Sequence, residues 1–162
     1  MVQNNLLTQR QIEARLIKRV AEGLCRKFDK DEVLESLKDT FRGIAFDEGR
    51  KLKNENENPF QTLEKHWQKL VEGEALEIEG LEITESEMKF KVTRCKYAEF
   101  YELIGASDLG TILSCCRDEA FLNGFTDQVE MKRSKTILEG NNCCEFIYQL
   151  KSSVKTVSNE NE

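Results

Sequence analysis

Apolar residues recur at helical spacing three times in the first half of the chain. Ile12, Leu16, Ile17, Val20, Ala21, Leu24 and Phe28 predict an amphipathic helix over residues 9–28 with one buried face. Thr8 followed by Gln11 has the form of a capping box at its start. Asp29 or Asp31 can cap a second helix, whose apolar face carries Val33, Leu34, Leu37, Phe41, Ile44 and Ala45 before Gly49 weakens its end. The polar run 54–58 breaks the pattern as a linker. Asn58-Pro59 then opens a third helix, because proline at the first helical position has no donor to waste. Phe60, Leu63, Trp67 and Leu70 form its stripe, and Gly73 suits its end.

The period changes after that point. Leu76, Ile78, Leu81 and Ile83 alternate with glutamates, with Gly80 as a bulge signal. Thr84–Glu87 reads as a turn, and Met88, Phe90 and Val92 alternate with polar residues up to Cys95. This predicts a β-hairpin. Tyr97, Phe100, Tyr101 and Ile104 return to helical spacing, ended by Gly105. Ser107 can cap a further helix with Leu109, Ile112, Leu113, Cys116 and Ala120 as its buried stripe, ended by Gly124. Val129 and Met131 start another strand, Glu139–Asn142 turns, and Cys144, Phe146, Tyr148 and Leu150 alternate along the last one.

These elements predict an α+β fold: N-terminal helices packed on a small, mostly antiparallel β-sheet with inserted helices. At 162 residues one domain over 1–151 is expected, followed by a flexible tail at 152–162. The net charge of −6 argues against a phosphate-backbone partner, which needs clustered Lys and Arg. Lys51, Lys53, Lys89 and Lys91 are interleaved with Glu and read as solvated faces. No secretory signal pattern opens the chain and no run approaches a membrane span, so the expectation is a cytoplasmic protein with neither nucleic-acid nor membrane partners. A homo-oligomer stays open. The six cysteines are then expected to be reduced.

Four pieces of the second half can carry chemistry. Cys95 stands at a strand end before a helix, where the helix dipole and the flanking Arg94 and Lys96 would favour thiolate. A small buried hydrophobe is the bland alternative. Asp118, three residues after Cys115, either is solvated or lines a pocket as an anion or base. Arg133, in Arg133-Ser-Lys-Thr136, suits carboxylate recognition, although an exposed strand-end Arg is ordinary. Cys144 follows the Gly140 turn on the apolar face of its strand, with Cys143 and Glu145 facing the other way. The lone histidine, His66, reads as a partly exposed helical residue, which leaves little room for a Ser-His-Asp or two-histidine metal site.

The order of these pieces resembles a known family. Cys95-Lys-Tyr-Ala-Glu-Phe-Tyr101, Leu109-Gly110, Cys116-Arg-Asp118, Ala120-Phe121, Gly124-Phe125, Arg133-Ser-Lys-Thr136, Gly140 and Cys144-Glu-Phe146 look like the L-2-amino-thiazoline-4-carboxylic acid hydrolases over residues 88–150. The chain departs from that pattern at Ser134, where Thr is frequent, at Glu145, where Asp is, and at Ile147, where a basic residue is. The resemblance implies a hydrolase that opens a cyclic isothiourea at a carbon–nitrogen bond, giving a carbamoyl-cysteine without a cofactor. It also implies roles: Cys95 as nucleophile, Asp118 as amidinium anchor and proton shuttle, and Arg133 as carboxylate clamp, with Thr136 and Cys144 on the pocket wall. Two other readings compete. One is a non-catalytic small-molecule sensor with a cysteine-lined pocket. The other is a soft-metal site built from Cys95 and one or two of Cys115, Cys116, Cys143 and Cys144.

Overall fold

The computed structural model describes residues 6–53 and 57–152. Most of the polar linker and nearly all of the predicted tail lie outside the described residues. Three helices come first: α1 (Leu6–Cys25), α2 (Lys30–Arg50) and α3 (Pro59–Glu72). A hairpin of β1 (Leu76–Ile83) and β2 (Glu87–Cys95) comes next, then α4 (Lys96–Leu103), α5 (Ser107–Gly110), a π-helical turn Thr111–Cys115 and α6 (Arg117–Phe125). Strands β3 (Val129–Arg133) and β4 (Cys144–Leu150) close the chain. The sheet order is β1-β2-β4-β3, and every pairing is antiparallel. The α+β architecture read from the pattern is the one observed, with α4 to α6 inserted between β2 and β3. Among the described residues no helix is long and apolar enough to cross a membrane.

One face of the sheet carries Met88, Phe90, Val92, Phe146 and Tyr148 into a core closed by α3 and α6. The start of α3 is fixed by the Asn58 side chain, which accepts from the Phe60 N–H at 2.9 Å, with Pro59 at the first position. Phe60, Leu63 and Trp67 are then buried, and the Trp67 ring stands 4.9 Å from Phe90 and 4.8 Å from Phe146. Burying each such side chain contributes about 1.5–3 kcal/mol. The opposite face of the sheet is a charged ladder that includes Lys89–Glu82 and Lys91–Glu145 pairs. A second core lies among α1, α2, α4 and the π turn, around Ala14, Ala21, Phe100, Tyr101 and Leu113.

Several expectations are corrected. Helix α1 starts by Leu6, so Thr8 lies inside it and forms no capping box. Its bulky stripe faces out: Ile12 is 55%, Leu16 62% and Val20 45% exposed. The inward face is Arg10, Ala14, Ile17 and Ala21, also at helical spacing, because small residues let α1 lie close to its neighbours. The outer half of β1 is exposed at Leu81 and Ile83, since register shifts at Glu77/Ile78 and at Glu79/Glu82 turn that end of the ribbon off the core.

Two glycines read as helix terminators do something else. A Cβ on Gly49 would overlap the Phe121 carbonyl oxygen, and one on Gly124 would overlap the Phe46 carbonyl oxygen. Helices α2 and α6 therefore cross backbone to backbone, each glycine seated against the other helix. Overpacking a tight contact costs roughly 1–3 kcal/mol. Gly49→Ala and Gly124→Ala are each expected to lower the melting temperature by about 2–10 °C. Thermal unfolding followed by circular dichroism checks it; unchanged melting in both would mean that the crossing is not tight.

Candidate functional site

The predicted continuous helix over residues 107–124 is broken where it matters. The Cys116 N–H bonds to the Thr111 carbonyl at 2.9 Å, five residues back, which makes Thr111–Cys115 a π turn with one residue more than an α-helix holds. The extra residue shifts the helical phase of α6 relative to the turn before it, and Arg117 and Asp118 both reach the same cavity. Asp118 then falls in the first turn of α6.

Asp118 lines a cavity of about 320 Å³ enclosed by α1, α2, α3, α4, the π turn, α6 and Tyr148 of β4. Its side chain keeps 28% exposure yet lies deep enough for desolvation to raise its pKa to about 6, against the opposing pull of Arg133 and Arg117. Arg133, at the end of β3, donates from Nη1 to Asp118 Oδ2 at 2.5 Å and to the Cys115 carbonyl at 3.0 Å. Its Cζ also lies 5.6 Å from the Phe146 ring centroid. The two charged residues picked from the sequence are thus each other's partners, in a charge-assisted bond.

The other candidates sit differently. Cys95 is the residue before α4, as expected, but it is not a thiolate: burial pushes its thiol up to about 11, although the Tyr97 and Ala98 N–H groups favour the anion. The flanking cations do not act on it as expected, because they are engaged elsewhere. Arg94 binds Glu99 at 2.6 Å and Glu77 at 3.2 Å, and Lys96 binds Glu74 at 3.3 Å. Burial likewise raises Cys115 and Cys144, and all three thiols feel the Asp118 charge. Cys144 accepts from the Ile137 N–H at 3.3 Å. Thr136 is buried and tied to its own turn, donating to Glu139 Oε2 at 2.7 Å while its carbonyl accepts from Asn141. None of Cys95, Arg133, Thr136 and Cys144 lines the cavity, and neither does any other cysteine. Among the described residues no three His, Cys, Asp or Glu side chains are grouped to hold a metal ion.

The cavity wall also holds residues that periodicity does not single out. His66 is stacked on Phe121 at 4.3 Å, and desolvation lowers its pKa to about 4, so it is neutral at pH 7. Glu48 of α2 joins two arginines, Arg117 at 2.6 Å and Arg10 at 3.4 Å. Tyr97 and Tyr101 of α4 complete that side. A signal for two of them exists in retrospect: Arg10 and Glu48 are polar residues in line with the buried stripes of their helices.

An α+β domain with a partly buried carboxylate, an arginine partner and a small cavity is a frame suited to a small polar molecule. The sequence model of one family, L-2-amino-thiazoline-4-carboxylic acid hydrolase, matches residues 9–148, and the chain belongs to that family. The match takes in α1 to α3, which carry none of the motifs at 88–150. No curated protein matches the chain.

The raised thiol pKa sets an expectation for reactivity. At pH 7.5 in the native protein, Cys95 and Cys115 are expected to alkylate at least about ten-fold slower with iodoacetamide than in the urea-unfolded chain, with rates rising towards pH 10. Peptide mapping by mass spectrometry reads this directly; fast native labelling of Cys95 would mean an activated thiolate.

Proposed function

We propose that this chain is a hydrolase that opens a cyclic isothiourea at its amidine carbon, with 2-amino-thiazoline-4-carboxylate as the type substrate. The observation that carries the reading is Asp118: a carboxylate on the wall of a ring-sized cavity, held by Arg133, with a pKa near the operating range. Membership of the family supplies the substrate class.

Above pH 6 the Asp118 carboxylate faces the amidinium of the ring and holds it by charge. It then accepts a proton from a water that adds to the amidine carbon, and returns it to the ring nitrogen. The carbon–nitrogen bond breaks as the carbon–oxygen double bond forms, and the remaining hydroxyl proton goes to the freed amine. The product is an S-carbamoyl-cysteine with a free amino group; cleavage at sulfur instead would free a thiol and leave the N-carbamoyl isomer. Arg133 serves as the partner that orients Asp118 and stabilises its anion.

Water is a better nucleophile here than Cys95. Burial holds the Cys95 thiol up at about 11, well above Asp118 at about 6, so the carboxylate is too weak a base to activate it. Cys95 is also outside the cavity wall.

The test is turnover of 2-amino-thiazoline-4-carboxylate, following carbamoyl-cysteine and free amine by mass spectrometry. Asp118→Asn is expected to lower kcat/KM by about 10²–10⁴-fold, and Cys95→Ser to stay within about ten-fold of wild type. Because Asp118 must be ionised, wild-type kcat/KM should rise with pH through about 6 and then level off. His66, at about 4, adds no limb in that window. Full activity in Asp118→Asn would sink the proposal, and complete loss in a folded Cys95→Ser would restore the thiol as nucleophile.

A further inference from the structure

The cavity wall also carries cationic side chains, opposite in sign to Asp118. Arg117 lines it from α6, with its side chain 11% exposed. One edge of the guanidinium is fixed, since Nη2 donates to Glu48 Oε2 at 2.6 Å and Cζ lies 6.0 Å from the Phe41 ring centroid. The other edge is not satisfied. Arg117 Nη1 is buried without a hydrogen-bond partner, and among the described residues it is the one buried side-chain nitrogen or oxygen in that condition. An unmade bond of this kind costs about 1–3 kcal/mol or more for a charged group, so it is retained where something else supplies the acceptor.

Arg133 does not share that condition. Its Nη1 is already committed to Asp118 and to the Cys115 carbonyl. Arg133 also stands outside the cavity wall, behind the Asp118 it holds, so it is not placed to clamp a carboxylate there. Arg10 stands behind Arg117 on the same wall, bridged to it through Glu48, and adds positive charge there.

We infer that Arg117, not Arg133, is the specificity residue of this cavity, binding the carboxylate of a zwitterionic ligand whose cationic end faces Asp118. The inference rests on the hydrolase reading for the identity of the ring, though not for the charge arrangement. Arginine suits the task because its planar fork reads a carboxylate at two points, and Glu48 presets that fork. The expected selectivity comes from leaving the arginine without an acceptor when the ligand lacks one.

Two ligands make the test: 2-amino-thiazoline-4-carboxylate and its neutral 4-carboxamide, each measured for turnover and, by calorimetry, for binding to the full chain. Wild type is expected to favour the carboxylate by on the order of 100-fold or more in KM or Kd. Arg117→Met should abolish that preference by weakening the carboxylate alone, whereas Arg133→Met should keep the preference while losing turnover. If Arg117→Met does not fold, Arg117→Lys, which keeps the charge but not the fork, carries the measurement and should lose most of the preference.

Equal affinity for the two ligands in wild type, or an undiminished preference in a folded Arg117 variant, would overturn the inference. Either can occur with turnover intact, which leaves the hydrolase reading standing. A carboxylate preference in binding with no turnover of either ring would leave the inference standing and remove the reaction. Binding of neither ligand would remove both.

Discussion

Helices α2 and α6 touch backbone to backbone, and the positions of Glu48, Arg117 and Asp118 in the cavity depend on that contact. Gly49 and Gly124 bring the carbonyls of Phe121 and Phe46 into the space where side chains would stand. At that separation Glu48, one residue before Gly49, reaches Arg117 at the start of α6 at 2.6 Å. Larger residues at the crossing would lift α6 off α2 and break this bond before they disturbed the sheet. The π turn just before α6 acts on the same helix from its other end. It sets the rotation of α6 where the glycines set its distance, so Asp118 and Arg117 reach the cavity together.

The electrostatic arrangement is two carboxylate–arginine pairs, Asp118 with Arg133 and Glu48 with Arg117, which put Asp118, Glu48 and Arg117 on the wall of one small space. Partly buried pairs of this kind add little net stability, since desolvation offsets most of the attraction. Their positions matter more than their energies. Arg133 commits Nη1 to Asp118 and to the Cys115 carbonyl, so it tunes Asp118. Arg117 is held along one edge only, which keeps its direction fixed and leaves bonding capacity unspent.

Much of the fold is legible in the sequence, for identifiable reasons. Period-two alternation in β2 and β4 survives because one face is core and the other is a charged ladder. Helix α3 is readable because Asn58-Pro59 and Phe60, Leu63 and Trp67 all agree. Helix α1 misleads because size and burial part company: alanines go inward and Ile12, Leu16 and Val20 go outward. Gly49 and Gly124 read as helix ends because close approach between helices distant in sequence leaves no local mark. Asp118 and Arg133 are legible from residue type and order, but their pairing is not. Arg117 stands between two residues of a quoted motif and is invisible without Glu48, which the fold brings from 69 positions away.

The cysteines gain a physical role once their protonation is considered. Cys95, Cys115 and Cys144 lie within reach of the Asp118 charge and are held as thiols by burial, the condition least suited to nucleophilic attack. A neutral thiol is small, polarisable and a poor hydrogen-bond donor. Sulfur therefore keeps the surroundings of the carboxylate weakly polar, so that Arg133 remains its dominant partner and burial can hold its pKa near 6. Burial thus acts on both: it holds the thiols protonated and raises Asp118 to about 6, while the Asp118 charge adds a smaller push on the thiols.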